Sequence, residues 1–140
     1  MTNIVNLKQQ TVRAEKTDWF EVLPAELATT ADRTSSAFQH PDPNIGLALK
    51  VVLANEVGVA ISLTVNITTK DPAGNTVVWY TSGALVNAGT TLILIKPEGG
   101  TNSLFTIVPF PLPREFYVLL DYTGTPATDK MDTLVYGAFV

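Results

Sequence analysis

The chain has 140 residues, of which 46% are apolar and only 16% charged, with 13 acidic against 9 basic side chains, one histidine and no cysteine. That balance fits a single folded domain and excludes a disordered one, and it excludes disulfide or cysteine-zinc staples. A net charge of −4 with scattered basic residues repels a phosphate backbone, so nucleic acid is not an expected partner.

Residues 1–10 are rich in Asn and Gln and poor in apolar periodicity, which reads as an extended arm, with one β domain over 11–140. The start lacks both the basic and the apolar region of a signal peptide, and no window approaches 18 uninterrupted apolar residues, so a membrane is not an expected partner either. From Thr11 to Val22 the apolar residues Val12, Ala14, Trp19, Phe20 and Val22 give an imperfect strand pattern of one or two short strands. Leu23 to Asn44 reads as a long connection, with a brief helical possibility over Ala25–Thr30 and a breaker cluster at His40-Pro41-Asp42-Pro43-Asn44.

The second half is more regular. Leu47, Leu49, Val51 and Leu53 share one strand face, and Asn55-Glu56-Val57-Gly58 turns the chain into a strand over 59–69. There Ile61, Leu63, Val65 and Ile67 alternate with Ser62, Thr64, Asn66 and Thr68, which sends the apolar set to one face and the polar set to the other. Asp71-Pro72-Ala73-Gly74-Asn75 is a hairpin turn into Val77–Thr81. Thr91–Ile95 is apolar on both faces, as in a strand covered on both sides, and Lys96–Gly100 stops it. Leu104–Val108 is a further strand, confined to an edge or a crossover because Pro109, Pro111 and Pro113 lack amide donors. Phe116, Val118, Leu120 and Tyr122 alternate in the next strand, and Leu134, Tyr136, Ala138 and Val140 stand in step in the last. About eight short strands joined by Gly/Pro turns, with nineteen threonines and little helix, predict an all-β, two-sheet antiparallel sandwich of jelly-roll type with an extended N-terminal arm.

Reactive side chains are sparse. His40 lies in a proline-flanked loop near Ser35, Ser36 and Asp42, which supplies neither the rigid relay nor the oxyanion hole of a serine hydrolase, so an exposed loop histidine is the expectation. Asp121, Asp129 and Asp132 around the last loop, and Asp71 with Asn75 at the hairpin, match no calcium loop, and turn chemistry explains the hairpin pair equally well. No catalytic residue, metal ligand or cofactor is expected. Trp79-Tyr80 and Phe116-Tyr117 are adjacent aromatic pairs whose members strand alternation sends to opposite faces, so one of each pair is a candidate interface anchor. A carbohydrate-binding sandwich is the alternative that such exposed aromatics allow.

Four segments carry a resemblance, in this order: Thr68–Asn75, Ala88–Leu94, Leu112–Val118 and Leu134–Ala138. Together they resemble the small jelly-roll cement, or decoration, proteins of tailed-phage heads, over residues 45–140. The resemblance implies a virion structural protein without catalysis, homo-oligomeric, assembled in the host cytoplasm. It would sit on the outer capsid surface and tie neighbouring major capsid protein subunits together. Residues 1–44 share no motif with that group; the arm and the strand after it supply Ile4, Val5, Leu7, Arg13 and Trp19 as the expected partner contacts.

Overall fold

The computed structural model describes residues 19–28, 32–40, 46–57, 62–86, 88–101, 103–123 and 130–140. The expected arm over 1–10 lies outside them. The described residues form ten strands and no helix: β1 (Phe20–Ala28), β2 (Arg33–Thr34), β3 (Phe38–Gln39), β4 (Leu47–Val57), β5 (Ser62–Lys70), β6 (Thr76–Thr81), β7 (Gly89–Lys96), β8 (Thr106–Pro109), β9 (Glu115–Thr123) and β10 (Lys130–Phe139). One sheet runs β1-β10-β4-β7-β8 and the other β2-β9-β5-β6, with β3 also paired to β9. Every pairing is antiparallel except β7 with β8.

The alternating runs make the core. Leu47, Leu49, Val51 and Leu53 of β4 are buried against Leu63, Val65 and Ile67 of β5 and Phe116, Val118, Leu120 and Tyr122 of β9, in one cluster shared by both sheets. The result is a β-sandwich-like, all-β architecture of two mostly antiparallel sheets. Phenylalanines from both sheets meet within it: Phe20 of β1 lies 5.5 Å from Phe38 of β3 and 5.4 Å from Phe139 of β10, and Phe116 of β9 lies 5.8 Å from Phe38. Such tilted ring pairs contribute about 0.5–1.5 kcal/mol each beyond their burial.

Several expectations change. Ala25–Ala28 is part of β1, because a helix of one turn cannot nucleate while the β10 ladder is at hand. The region read as connection also yields the two-residue strands β2 and β3, which brings the count to ten rather than about eight. In β10 the in-step residues Leu134 and Tyr136 take the outer face, half-buried, while Met131, Thr133 and Val135 enter the core. The polar set of β5 faces away from the core as predicted, yet Asn66 and Thr68 are buried there beside Leu119 and Tyr117. Asn66 meets its polar needs locally, its amide nitrogen donating to Leu119 O at 3.2 Å and Thr64 Oγ1 at 3.2 Å.

The predicted hairpin turn is present in detail. Gly74 has φ of 87°, which a glycine adopts without the steric cost of a side chain, and its amide donates to Asp71 O at 2.9 Å. Asp71 Oδ1 accepts from the amides of Ala73 at 2.9 Å and Asn75 at 2.8 Å. Those amide bonds, Asn75's foremost, hold the Asp71 carboxyl below the ordinary carboxylate range despite a smaller opposing effect of desolvation.

Gly46 marks the tightest backbone approach. It exchanges hydrogen bonds with Val140, N to O at 2.9 Å and 3.0 Å, and a Cβ built on it would stand 2.5 Å from Ile95 O and 2.9 Å from Lys96 Cβ. Because the obstacle is main chain of β7, it cannot swing aside. Gly46→Ala is expected to destabilise the protein by about 1–3 kcal/mol, read as a lower urea midpoint at an unchanged m-value.

Candidate functional site

Two sheets have four edges, and among the described residues three of them are irregular or short. On β1, register shifts between Glu21 and Leu23 and between Leu23 and Glu26 break the ladder around Pro24. Arg33 of β2 fills that break: its guanidinium donates to Pro24 O at 2.7 Å and Thr133 O at 2.9 Å, joining the two sheets. A bulge, a proline and a cation are common guards of an edge. β8 is four residues long, ends in Pro109 and is followed by Pro111 and Pro113, so the prolines do lie at an edge as their missing amides require. β2 and β3 are two residues each.

The fourth edge is β6. Its six residues, Thr76-Val77-Val78-Trp79-Tyr80-Thr81, contain no proline and no charge, and no described strand pairs with their outer side. Val77 is 40% exposed, Val78 51% and Trp79 53%. Beyond Thr81 the same line continues through Ser82, whose hydroxyl accepts from Val65 N at 2.9 Å, to Leu85, bridged to Leu63. β6 carries one irregularity: Thr68 pairs with Val78 and Ile67 with Tyr80, leaving Trp79 as the extra residue of a bulge.

That bulge corrects the aromatic expectation. Trp79 and Tyr80 do not point to opposite faces; both rings lie near Phe110, at 6.5 Å and 6.4 Å. Trp79 Nε1 donates to Thr69 Oγ1 at 2.7 Å, which fixes the indole while half of it remains in solvent. Phe116 and Tyr117, on an unbulged strand, alternate as predicted, with Phe116 buried and Tyr117 half-buried.

Of the five expected contact residues, Ile4, Val5, Leu7 and Arg13 lie outside the described residues. Trp19 is described; it is 48% exposed and stands on the other sheet, where it lines a cavity with Lys50, Thr90, Leu92, Phe105 and Tyr136. Trp19 and β6 therefore belong to separate surfaces. In the sequence β6 is a strand carrying a candidate anchor; the lack of charge and proline over 76–81 gains its meaning only once the other edges are known.

The candidate chemistry takes structural roles. His40 is buried, 7% exposed, rather than a solvent-facing loop residue: its amide donates to Arg114 O at 2.9 Å and its ring lies 6.4 Å from Phe139. Ser35 is occupied by the backbone, its hydroxyl donating to Ser36 O at 2.8 Å and accepting from Val118 N at 2.9 Å. Asp42 and Asp129 lie outside the described residues. A scan against protein-family models, a search of curated proteins and a search of solved structures each returned no match.

Asp121 of β9 faces Asp32, whose Oδ1 accepts from Tyr122 N at 3.2 Å. Desolvation, then the charge of Asp32 and the hydrogen bond between the two carboxyl groups, hold Asp121 above the ordinary carboxylate range. A raised carboxyl pKa means that the ionised group costs stability at neutral pH, and that the cost disappears as pH falls through the raised pKa. Asp121→Asn is expected to raise the thermal midpoint at pH 7 and to leave it unchanged near pH 3, where both folded and unfolded carboxyls are protonated.

Proposed function

We propose that this protein is a virion structural protein, a cement on the outer capsid surface that ties neighbouring major capsid protein subunits together by strand addition. The observation that carries the reading is β6: an uncharged, proline-free and exposed edge with no described strand on its outer side, on a sandwich whose other described edge strands are irregular or short. In such pairing the main chain supplies affinity through ladder hydrogen bonds, and alternate side chains supply specificity. Val78 and Trp79 are the side chains offered to the incoming strand's neighbours, and a Trp fixed by a hydrogen bond presents its area at little entropic cost.

The strand order supports a jelly-roll reading. With β2 and β3 taken as one broken strand and β8 as an added edge, the sheets run first-last-fourth-seventh and second-ninth-fifth-sixth in the numbering above. Eight strands in two interleaved Greek keys have that arrangement, and capsid proteins are among its users. The net charge of −4 favours approach to basic capsid loops. The β6 edge takes one strand, so the proposed homo-oligomeric contacts between neighbouring copies use a different surface.

The action is mechanical and rests on linkage: a protein that binds the assembled, expanded lattice and not its free subunits stabilises the lattice by mass action. Cosedimentation tests this. The protein is expected to pellet with expanded phage heads and to stay in solution with unassembled capsid protein. Val78→Lys, which places a charge on the edge without touching the core, is expected to abolish pelleting while shifting the unfolding free energy by no more than about 0.5 kcal/mol. Equal binding to free subunits, or full pelleting of the Lys variant, sinks the reading.

A further inference from the structure

The outer face of the other sheet carries a cavity that strand addition leaves unused. By register, Tyr136 of β10, Lys50 of β4 and Leu92 of β7 stand side by side on that face. With Thr90, Phe105 and Trp19 they line a cavity of about 540 Å³. Small-molecule sites span roughly 300–1,000 Å³ and combine apolar walls with a few polar groups.

Lys50 distinguishes this cavity from a greasy patch. It is half-buried between the flanking Tyr136 and Leu92 positions of an antiparallel sheet, and no hydrogen bond or ion pair joins it to another described residue. A lysine on an apolar surface ordinarily lays its stem down and sends its ammonium to water. Here the stem rises from a middle strand into a hollow walled by three aromatic rings, so an anion entering the hollow meets a cation that no other described residue pairs.

We infer that this cavity binds a monocarboxylate carried on an apolar body, the chemistry of a medium-chain fatty acid. The rings of Trp19, Phe105 and Tyr136 and the side chain of Leu92 cover the chain, and the Lys50 ammonium takes the carboxylate, with the hydroxyls of Thr90 and Tyr136 as further donors. A sugar would bring more hydroxyl groups than these few polar partners satisfy. A phosphate would bring close to two charges to a single lysine. The site lies on the opposite sheet from β6, so the inference stands or falls independently of the cement reading.

The chain's two tryptophans supply an internal control, because Trp19 lines the cavity and Trp79 lies on β6. On titrating the ¹⁵N-labelled full chain with octanoate, the indole N–H resonance of Trp19 is expected to shift saturably and that of Trp79 to stay in place. Lys50→Met is expected to weaken octanoate binding by about tenfold and leave octan-1-ol binding unchanged, whereas Lys50→Arg retains octanoate binding. No saturable shift at Trp19 overturns the inference. So does equal binding of acid and alcohol with no effect of Lys50→Met, which is the result for a lysine that merely reaches to water.

Discussion

The structure depends on the mutual burial of two strand faces that have no other apolar surface to meet. Leu47, Leu49, Val51 and Leu53 on one side, and Leu63, Val65, Ile67, Phe116, Val118 and Leu120 on the other, are almost wholly withdrawn from water. At roughly 25 cal/mol per Å² of apolar surface removed from solvent, that contact dominates the favourable energy of folding. It also fixes register, since a slip of one residue in any of these strands would turn the whole apolar set outward. The phenylalanines bring further area to the same contact from β1, β3, β9 and β10, which ties the short strand β3 and the edge strand β1 to the core.

Once the faces are matched, the remaining problem is the edges. A sheet ends in a row of unpaired amides and carbonyls, and three edges of the described residues depart from a long regular strand: a bulge with Pro24 and the Arg33 clamp on β1, prolines on β8, brevity on β2 and β3. Arg33 illustrates the economy of the arrangement. The bulge that interrupts the β1 ladder leaves carbonyls of β1 and β10 to be satisfied, and the guanidinium that meets them comes from the opposite sheet, so filling the break and fastening the sandwich are one act. Against that background the uncharged, exposed β6 stands out, and the proposed cement role rests on it.

The two outer faces differ in character. Beyond β5 and β9, Lys70 places its ammonium 5.9 Å from the Tyr117 ring and donates to Thr76 Oγ1 at 2.8 Å, while Asn66 bonds to its own and the neighbouring strand. That face satisfies itself. The face beyond β4, β7 and β10 instead carries Leu92 and Tyr136 half-buried on either side of Lys50, with a hollow above them. One protein thus offers an edge suited to a strand and a hollow suited to an amphiphile, on opposite sheets.

Local periodicity alone determined the inward sets of β4, β5 and β9, the hairpin turn at Asp71–Asn75 and the edge position of the prolines, because each rests on residues a few positions apart whose side chains alternate or whose amides are missing. Tertiary structure decided the rest. Ala25–Ala28 became strand because β10, distant in sequence, offered a ladder; Trp79 and Tyr80 came to one side because a bulge against β5 added a residue; His40 was buried because its amide is held by Arg114 O and its ring lies near Phe139. Trp19 was legible as an expected contact residue, but its neighbours Lys50, Leu92 and Tyr136 come from three strands and are brought abreast only by register. Sequence pattern specifies which way a side chain points along its own strand; which strand lies beside it, and which edge is left without one, follows from pairings between residues that the chain brings together only on folding.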